Sequence, residues 1–421
     1  MTRSLTSGSA RSPSTTDVEQ IFREQFTGLL AWLIQSLRDF DAAEDALQEA
    51  FLIALRRWPS DGTPRNPRAW LAVTARNCAI DRLRRERRRP IVEEQMDRVI
   101  AGSDQPGDLE DDVLRLVFTC CHPALSLEAR VALTLRTVGG LAIGEIARAF
   151  LISPATLAQR LVRAKRKIRT ARIPYEVPGH DQLADRLAGV LAVVYLIFNE
   201  GYLPTDGPAL MRPDLCREAI RLARLLGTLM PDEPEVRSLL ALLLLTDARR
   251  HARTDSAGEP VLLPDQDRSL WDQTEIREGL AELGRAGRHQ QAGPYFLQAA
   301  IAAEHLGAAH AADTNWPRIV RLYEALVDLV PSPVTELNRL VAVSMTQGPE
   351  IAYEQLGQLE ASLSEYPYFH AARADFLRRL DHPGSARAAY QRARELATNP
   401  KQRAALARAA VELEGDGPPP R

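Results

Sequence analysis

Apolar residues recur every three or four positions along most of the chain, which is the spacing of helices that bury one face. The pattern begins near Asp17 and continues almost to the end of the sequence. Clusters of Pro and Gly interrupt it near residues 59–67, 122–123, 139–140 and 152–154. The sequence therefore predicts an all-α protein made of helices joined by short loops.

Changes in composition divide the 421 residues into five segments. Residues 1–16 are rich in Ser, Thr, Gly and Pro and lack apolar periodicity, so we expect them to be disordered. A helical domain is predicted at 17–89, an acidic linker at 90–108 and a second helical domain at 109–172. A helical extension is predicted at 173–421. The whole chain of 421 residues is long enough for about three domains.

The end of the extension has an internal period. An interval of 34 residues separates four pairs of residues: Pro333 and Pro367, Pro349 and Pro383, Ala352 and Ala386, and Leu356 and Tyr390. This is the period of tetratricopeptide repeats, in which each repeat is a pair of antiparallel helices. The spacing predicts repeats similar to these near the end of the chain, and the register is lost before about residue 310.

Cysteine content and apolar runs exclude secreted and membrane classes. The four cysteines are too few and too scattered for a disulfide scaffold, and no signal peptide opens the chain. No apolar run reaches the roughly 20 residues that a membrane span needs. We therefore expect a cytoplasmic protein without a membrane partner.

Charge is distributed unevenly. Residues 1–172 carry 27 Lys and Arg against 21 Asp and Glu, a net charge of +6. Residues 173–421 carry 26 against 34, a net charge of −8. A basic part joined to an acidic part predicts that contact with nucleic acid is confined to the first part.

Residues 143–168 carry a helix-turn-helix pattern. Ile146 and Ala147 give the first helix an inner face, while Ser153 can cap the second helix and Pro154 can begin it. The second helix exposes the predicted DNA contacts: Thr156, Gln159, Arg160, Arg163, Lys165, Arg166 and Lys167. Polar residues near the start of such a helix reach base edges, and basic residues along its flanks reach phosphates. The alternative is a solvated basic helix in an ordinary bundle.

Two charged helices precede this pattern. A helix that begins after Pro67 ends in an arginine-rich run at 84–89, which can neutralise several phosphates, although such runs often only face solvent. An earlier amphipathic helix exposes five polar residues: Asp41, Glu44, Asp45, Gln48 and Glu49. That face could dock on a basic protein surface or simply be solvated.

Taken together and in this order, the three motifs resemble an extracytoplasmic-function sigma factor of bacterial RNA polymerase. The acidic helix is similar to region 2.2, which grips the β′ clamp helices. The helix after Pro67 is similar to regions 2.3 and 2.4, which melt and read the minus-ten element. The helix-turn-helix is similar to region 4.2, which reads the minus-thirty-five element.

The resemblance implies partners and roles. The partners are promoter DNA and core RNA polymerase, through its β′ clamp helices and β flap. The five polar residues of the acidic helix would bind core polymerase, and the polar face of the second helix of the helix-turn-helix would bind the minus-thirty-five element. Residues along the melted minus-ten strand would be Asn77, Asp81, Arg84, Arg85 and Arg88.

The extension resembles the tetratricopeptide-like extension of one sigma subgroup. Helical repeats offer a groove for a peptide or protein regulator, but the extension could equally be an intramolecular lid, so the direction of regulation stays open. Two other functions remain possible from the sequence alone. These are a helix-turn-helix repressor with a helical-repeat sensor domain, and a tetratricopeptide adaptor whose basic helices are incidental.

No pattern predicts catalysis. The chain has no phosphate-binding loop, dinucleotide fingerprint, zinc-protease motif or nucleophile elbow. The run 120–122, Cys-Cys-His, offers too few ligands for zinc, so we expect it to be buried at the end of a helix. We expect no enzyme activity, no metal and no cofactor.

Overall fold

The computed structural model describes residues 15–85, 109–150, 152–204, 210–256, 258–289 and 292–415. Within these ranges the regular structure is helical, apart from one isolated β-bridge between Thr254 and Pro260. The all-α prediction is confirmed. The expectations for residues 1–14 and for the acidic linker at 90–108 lie outside the described residues.

Contacts divide the chain into two compact units, Met1–Val193 and Val194–Arg421. The described helices of the first unit are α1 (Thr15–Leu37), α2 (Phe40–Asp61), α3 (Pro67–Arg85), α4 (Leu109–Cys120), α5 (Leu127–Thr137), α6 (Ile143–Ala149), α7 (Pro154–Thr170) and the first part of α8 (His180–Tyr202). The division falls inside α8, because the early part of α8 packs with the first unit. There the guanidinium of Arg186 donates a hydrogen bond to the carbonyl of Phe118 (2.9 Å).

The second unit continues with eleven described helices joined by loops and short 3₁₀ turns. They are α9 (Pro213–Leu229), α10 (Pro234–Asp247), α11 (Gln273–Ala286), α12 (Pro294–Gly307), α13 (Trp316–Leu329), α14 (Pro333–Thr346), α15 (Pro349–Leu356), α16 (Glu360–Leu363), α17 (Pro367–Arg379), α18 (Pro383–Leu396) and α19 (Pro400–Gly415).

The prolines at the 34-residue interval occupy equivalent places in this unit. Pro333 and Pro367 begin α14 and α17, and Pro349 and Pro383 begin α15 and α18. Proline suits the first turn of a helix, where its missing N–H costs no hydrogen bond. The small residues that follow at the same interval, Ala352 and Ala386, are fully buried. The interval therefore marks two successive helix pairs.

Two details of the first three helices differ from the pattern. The break predicted at Pro59 comes later, because α2 continues to Asp61 and ends where Gly62, at φ 82°, donates its N–H to the carbonyl of Trp58 (2.9 Å). The apolar spacing of the helix after Pro67 predicts that Val73 is buried, but Val73 is 43% exposed because Ala72 takes the inward position on α3.

The two predicted sigma-like domains pack together within the first unit. The hydroxyl of Tyr175 lies 2.9 Å from the carbonyl of Ala31 in α1 and 3.2 Å from that of Asp112 in α4. Burial raises the pKa of Tyr175 well above its usual value, so this hydroxyl stays protonated and donates. The hydroxyl of Thr27 donates to the carbonyl of Val138 (3.1 Å). Segments 17–89 and 109–172 thus form one body.

Candidate nucleic-acid interface

The helix-turn-helix forms as the sequence predicts. Ser153 accepts a hydrogen bond from the N–H of Thr156 (3.0 Å), and Pro154 occupies the first turn of α7. The buried face of α7 consists of Leu157, Leu161, Ala164 and Ile168, and Ile146 and Ala147 of α6 are buried as well. The cap fixes where α7 begins, and the apolar face fixes which side of it points outward.

Five of the seven predicted contacts on α7 line one open groove of about 430 Å³: Thr156, Gln159, Arg160, Arg163 and Lys167. Thr156, the adjacent pair Gln159 and Arg160, Arg163 and Lys167 follow one another at intervals of three or four positions, which places them on one side of the helix. The start of α5 forms the other wall of this groove. Arg166 is exposed but does not line it. The structure therefore brings most of the predicted DNA-binding residues of α7 together.

Sequence reasoning missed an acidic residue in the same groove. Glu128 lies in the first turn of α5, which Ser126 caps. A backbone hydrogen bond at the start of the helix and a hydrogen bond with Ser126 lower the pKa of Glu128, and Arg160 contributes to the same effect. The carboxylate stays charged and adds a hydrogen-bond acceptor to a groove of donors. The sequence signal that could have revealed Glu128 is the Ser-x-Glu pattern at 126–128, which is typical of the start of a helix.

Lys165 faces away from the groove. Its ammonium group lies 2.8 Å from a carboxylate oxygen of Asp41 and 3.0 Å from one of Glu44, both on α2. The Lys165 side chain is only 11% exposed. Burial alone would lower the pKa of Lys165, but the two carboxylates outweigh burial and the net effect is to raise it. In this structure Lys165 joins α7 to α2.

Two more basic residues reach the same acidic end of α2. Arg136 of α5 forms an ion pair with Glu44, and Arg169 of α7 forms one with Asp39 (3.2 Å). Asp39 also caps α2 by accepting hydrogen bonds from the N–H groups of Asp41 (2.9 Å) and Ala42 (3.1 Å). We call the six charged residues the interhelix network: Asp39, Asp41, Glu44, Arg136, Lys165 and Arg169. Its basic members all come from the second predicted domain.

The other predicted docking residues of α2 lie outside this network. Asp45 is exposed and forms an ion pair with Arg82 of α3, and Gln48 and Glu49 are exposed one turn further along. The predicted acidic surface is therefore divided. Three of its residues face solvent near α3, whereas Asp41 and Glu44 are engaged by α5 and α7.

The predicted minus-ten residues are placed only in part. Asn77 and Asp81 are exposed on α3. Arg84 and Arg85 belong to the last turn of α3, but their side chains are not among the described ones. Arg88 lies outside the described residues. Asn77 and Asp81 therefore lie on the exposed side of α3, and Leu71 is buried on the other side.

Cys120 and Cys121 are buried at the end of α4, as expected, whereas His122 is only half-buried. The thiol of Cys120 contacts the hydroxyl of Thr137 (3.1 Å), and that of Cys121 contacts Thr134 (3.4 Å). Burial raises the pKa of Cys121 to about 11 and that of Cys120 further, so both thiols are protonated and unreactive at neutral pH. The described residues contain no group of three side chains suited to a metal.

None of the described helices is both long and apolar enough to span a bilayer.

Comparison with protein families identifies three segments of the chain. Residues 22–89 match sigma-70 region 2, and residues 115–168 match sigma-70 region 4. Residues 186–287 match a family of unknown function, DUF6596. The first two matches cover α2, α3 and α7, the helices that carry the predicted binding residues.

Two relatives give further support. The uncharacterized protein R00370 of Rhizobium meliloti (strain 1021) is 46% identical over 380 residues, which cover 88% of this chain and 90% of the relative. The probable RNA polymerase sigma factor RfaY of Xanthomonas campestris pv. campestris is 32% identical over 140 residues, 31% of this chain and 34% of that protein. The first similarity is too long to be confined to the sigma-70 segments, so it includes much of the extension.

Proposed function

The chain belongs to the same family as the Rhizobium meliloti protein and carries sigma-70 regions 2 and 4, and from this premise we propose that it is a sigma factor of the extracytoplasmic-function type. It would bind core RNA polymerase and direct promoter-specific initiation of transcription in the cytoplasm. The groove along α7 supports this proposal most strongly. Polar and basic side chains line this groove together, on a helix whose start is capped by Ser153.

In this proposal α7 enters the major groove of the minus-thirty-five element. Gln159 can pair with an adenine edge through two hydrogen bonds, and Arg160 or Arg163 can do so with guanine. Thr156 is one turn closer to the start of the helix, where recognition helices contact bases. Arg166 and Lys167 would contact phosphates, which strengthen binding to every sequence alike.

Region 2 would contact polymerase and the melted strand with adjacent helices. Asp45, Gln48 and Glu49 of α2 are exposed and suit the basic clamp helices of β′, while region 4 would contact the β flap. The minus-ten strand would follow α3, with these contacts: Asn77, Asp81, Arg84, Arg85 and Arg88. The exposed side chains of Asn77 and Asp81 on α3 support this assignment.

The packing of region 4 on region 2 must open before both promoter elements can be bound. α7 forms ion pairs with α2, and α2 packs on α3, so α7 lies within about two helix diameters of α3, roughly 20–25 Å. By their names, the two promoter elements lie about 25 base pairs apart, on the order of 85 Å of duplex at 3.4 Å per base pair. The two helices cannot reach both elements while the interhelix network is intact.

The network also competes directly with polymerase for the acidic residues. Asp41 and Glu44 are proposed clamp contacts, yet Lys165 and Arg136 already neutralise them. Glu44 is shielded by Arg136 and Lys165, so a basic surface of polymerase can engage Glu44 only by displacing region 4. Binding of core polymerase and opening of the first unit are therefore one linked equilibrium in this proposal.

We assign the extension as a tetratricopeptide-like repeat domain that binds a peptide or protein regulator. Its support is the succession of helix pairs that begin with proline at a 34-residue interval. Stacked helix pairs of this kind form concave surfaces that bind peptides. The net charge of −8 on residues 173–421 favours a basic partner.

The test is transcription reconstituted from core polymerase, the full-length chain and fragments of genomic DNA from the source organism. We expect RNA whose 5′ ends share one upstream motif and disappear when the chain is omitted. The variant Arg163→Ala should change or abolish that set, whereas Arg277→Ala, an exposed site on α11, should leave it intact.

Two results would overturn the proposal. DNA binding that requires no polymerase, together with no transcripts, would indicate a repressor. Binding to neither DNA nor core polymerase would indicate an adaptor.

A further inference from the structure

A cavity of about 540 Å³ lies among α10, α12, α13 and α14 in the second unit. This volume is within the range of pockets that hold small organic molecules. Half of its lining residues are aliphatic, Tyr195 and Tyr323 are aromatic, and several amide and hydroxyl groups lie near α14. Nothing in the sigma function accounts for it, since promoter and polymerase contacts belong to the first unit.

Arg249 is the one described lining residue that carries a charge at neutral pH. The described lining residues include no Asp or Glu, and no described carboxylate lies within ion-pair distance of Arg249. Its guanidinium donates one hydrogen bond, to the hydroxyl of Tyr202 (3.3 Å). A guanidinium has five N–H donors, so most of its capacity is available to a ligand.

Neighbouring groups make the site more positive without competing for an anion. Arg268 uses its guanidinium to donate to the carbonyls of His305 (3.0 Å) and Ala308 (2.6 Å), and it stacks on the ring of Trp271. Burial, with Arg249 and Arg268 nearby, lowers the pKa of His305 to about 4, so its ring is neutral. Arg268 therefore adds a positive charge near His305, while backbone carbonyls and the ring of Trp271 hold its guanidinium in place.

The walls of the cavity are fixed before any ligand enters. The hydroxyl of Tyr195 donates to the side-chain oxygen of Gln298 (3.2 Å), and the amide nitrogen of Gln298 donates to the carbonyl of Pro294 (3.2 Å). Burial raises the pKa of Tyr323 to about 12, so this phenol stays neutral. A preformed wall reduces the entropy that binding costs.

We propose that this cavity binds a small organic carboxylate with an apolar body, and that Arg249 holds the carboxylate. Arg and carboxylate form paired, charge-assisted hydrogen bonds of matching geometry. One cation suits a monoanion, because a second charge would have to be buried against aliphatic walls without a partner. The apolar body would fill the space between the two tyrosines.

The experiment measures binding to the full-length chain by calorimetry, with thermal unfolding as a second readout. The probes are octanoate, 4-phenylbutyrate, 1-octanol and octylamine. We expect 1:1 binding of at least one carboxylate and a rise in the unfolding temperature, as for any ligand that binds only the folded state. Octanol should bind more weakly, and octylammonium should not bind.

Three variants locate the site. Arg249→Gln should weaken carboxylate binding at least tenfold, and Asn338→Trp, an exposed rim position, should block entry without disturbing the fold. Arg277→Gln is the matched control, since Arg277 is exposed on α11 and does not line the cavity. It should leave affinity unchanged.

The proposal is wrong if no carboxylate of the series binds at millimolar concentration, if octylammonium binds equally well, or if neither Arg249→Gln nor Asn338→Trp reduces binding. None of these measurements involves polymerase or promoter, so the proposal stands or fails independently of the sigma function.

Discussion

Replacing Lys165 with alanine should make the chain bind core polymerase more tightly. This is the opposite of what is expected for a basic residue whose role is confined to contacting DNA. Lys165 holds α7 on α2 through Asp41 and Glu44, which are proposed polymerase contacts. Without Lys165, region 4 is held less firmly and the acidic residues become available.

The size of the effect follows from the two contacts. Asp41 is 56% exposed, and a pair at such a site contributes about 0.2–1 kcal/mol. Glu44 is 12% exposed, and a hydrogen bond to a buried charge contributes about 1.5–3 kcal/mol. The low end applies to Glu44, because Arg136 still neutralises it after the substitution. A total of about 1.7–2.5 kcal/mol corresponds to a change of about twenty- to seventyfold in the opening equilibrium.

The assay is a titration of core polymerase into the labelled full-length chain, without DNA. When the closed form dominates, the apparent Kd for core polymerase falls in proportion to the gain in the open form. Lys165→Ala should therefore bind core polymerase about twenty- to seventyfold more tightly. Lys165→Arg keeps the charge and should remain close to the wild type.

Lys167→Ala is the control for the general loss of a positive charge from α7. Lys167 lies on the same helix but is exposed and lines the groove. It should leave affinity for core unchanged. Unchanged or weaker binding by Lys165→Ala would refute the masking of the acidic residues, and an equal gain for Lys167→Ala would show that the network is not the cause.

Three further predictions concern the helix cap, base readout and packing. Ser153→Ala removes the cap of α7 and should cost about 1 kcal/mol of unfolding free energy, measured in urea. Gln159→Ala should cost about 1–3 kcal/mol at one promoter position, whereas Lys167→Ala should weaken all sequences equally and lower the salt slope by about 1, both measured by anisotropy on duplex DNA. Gly201→Val should destabilise the second unit, because even a Cβ there would lie 2.7 Å from the backbone nitrogen of Cys216; thermal unfolding checks this.

The buried face of α7 could be predicted fully because periodicity and capping are local properties. Leu157 and Leu161 repeat at helical spacing, and Ser153 followed by Pro154 is a start signal that depends on no distant residue. The same reasoning placed the exposed residues of the groove, since fixing the inner face of a helix fixes the outer one. The fold class followed equally well, because helical spacing extends through most of the chain.

The role of Lys165 could not be predicted in this way. Its partners Asp41 and Glu44 lie more than 120 positions away, and on the sequence it resembles the other basic residues of α7. The error over Val73 has a related cause, because Ala72 and Val73 are both apolar and only the packing of three helices decides which one faces inward. Tertiary contacts, and not local pattern, set these positions.

The energetics of the network suggest how a weak signal can control this protein. Glu44 is already shielded from water in the closed form, so polymerase does not have to desolvate it anew, and opening exchanges one set of basic partners for another. The free energies of the closed form and of the polymerase-bound open form are therefore close. A shift of a few kcal/mol determines which form dominates. A ligand at 100 times its Kd stabilises the state that it binds by about 2.7 kcal/mol, which is of the same size. A partner that binds the open form of the first unit more tightly than the closed form can therefore release region 4.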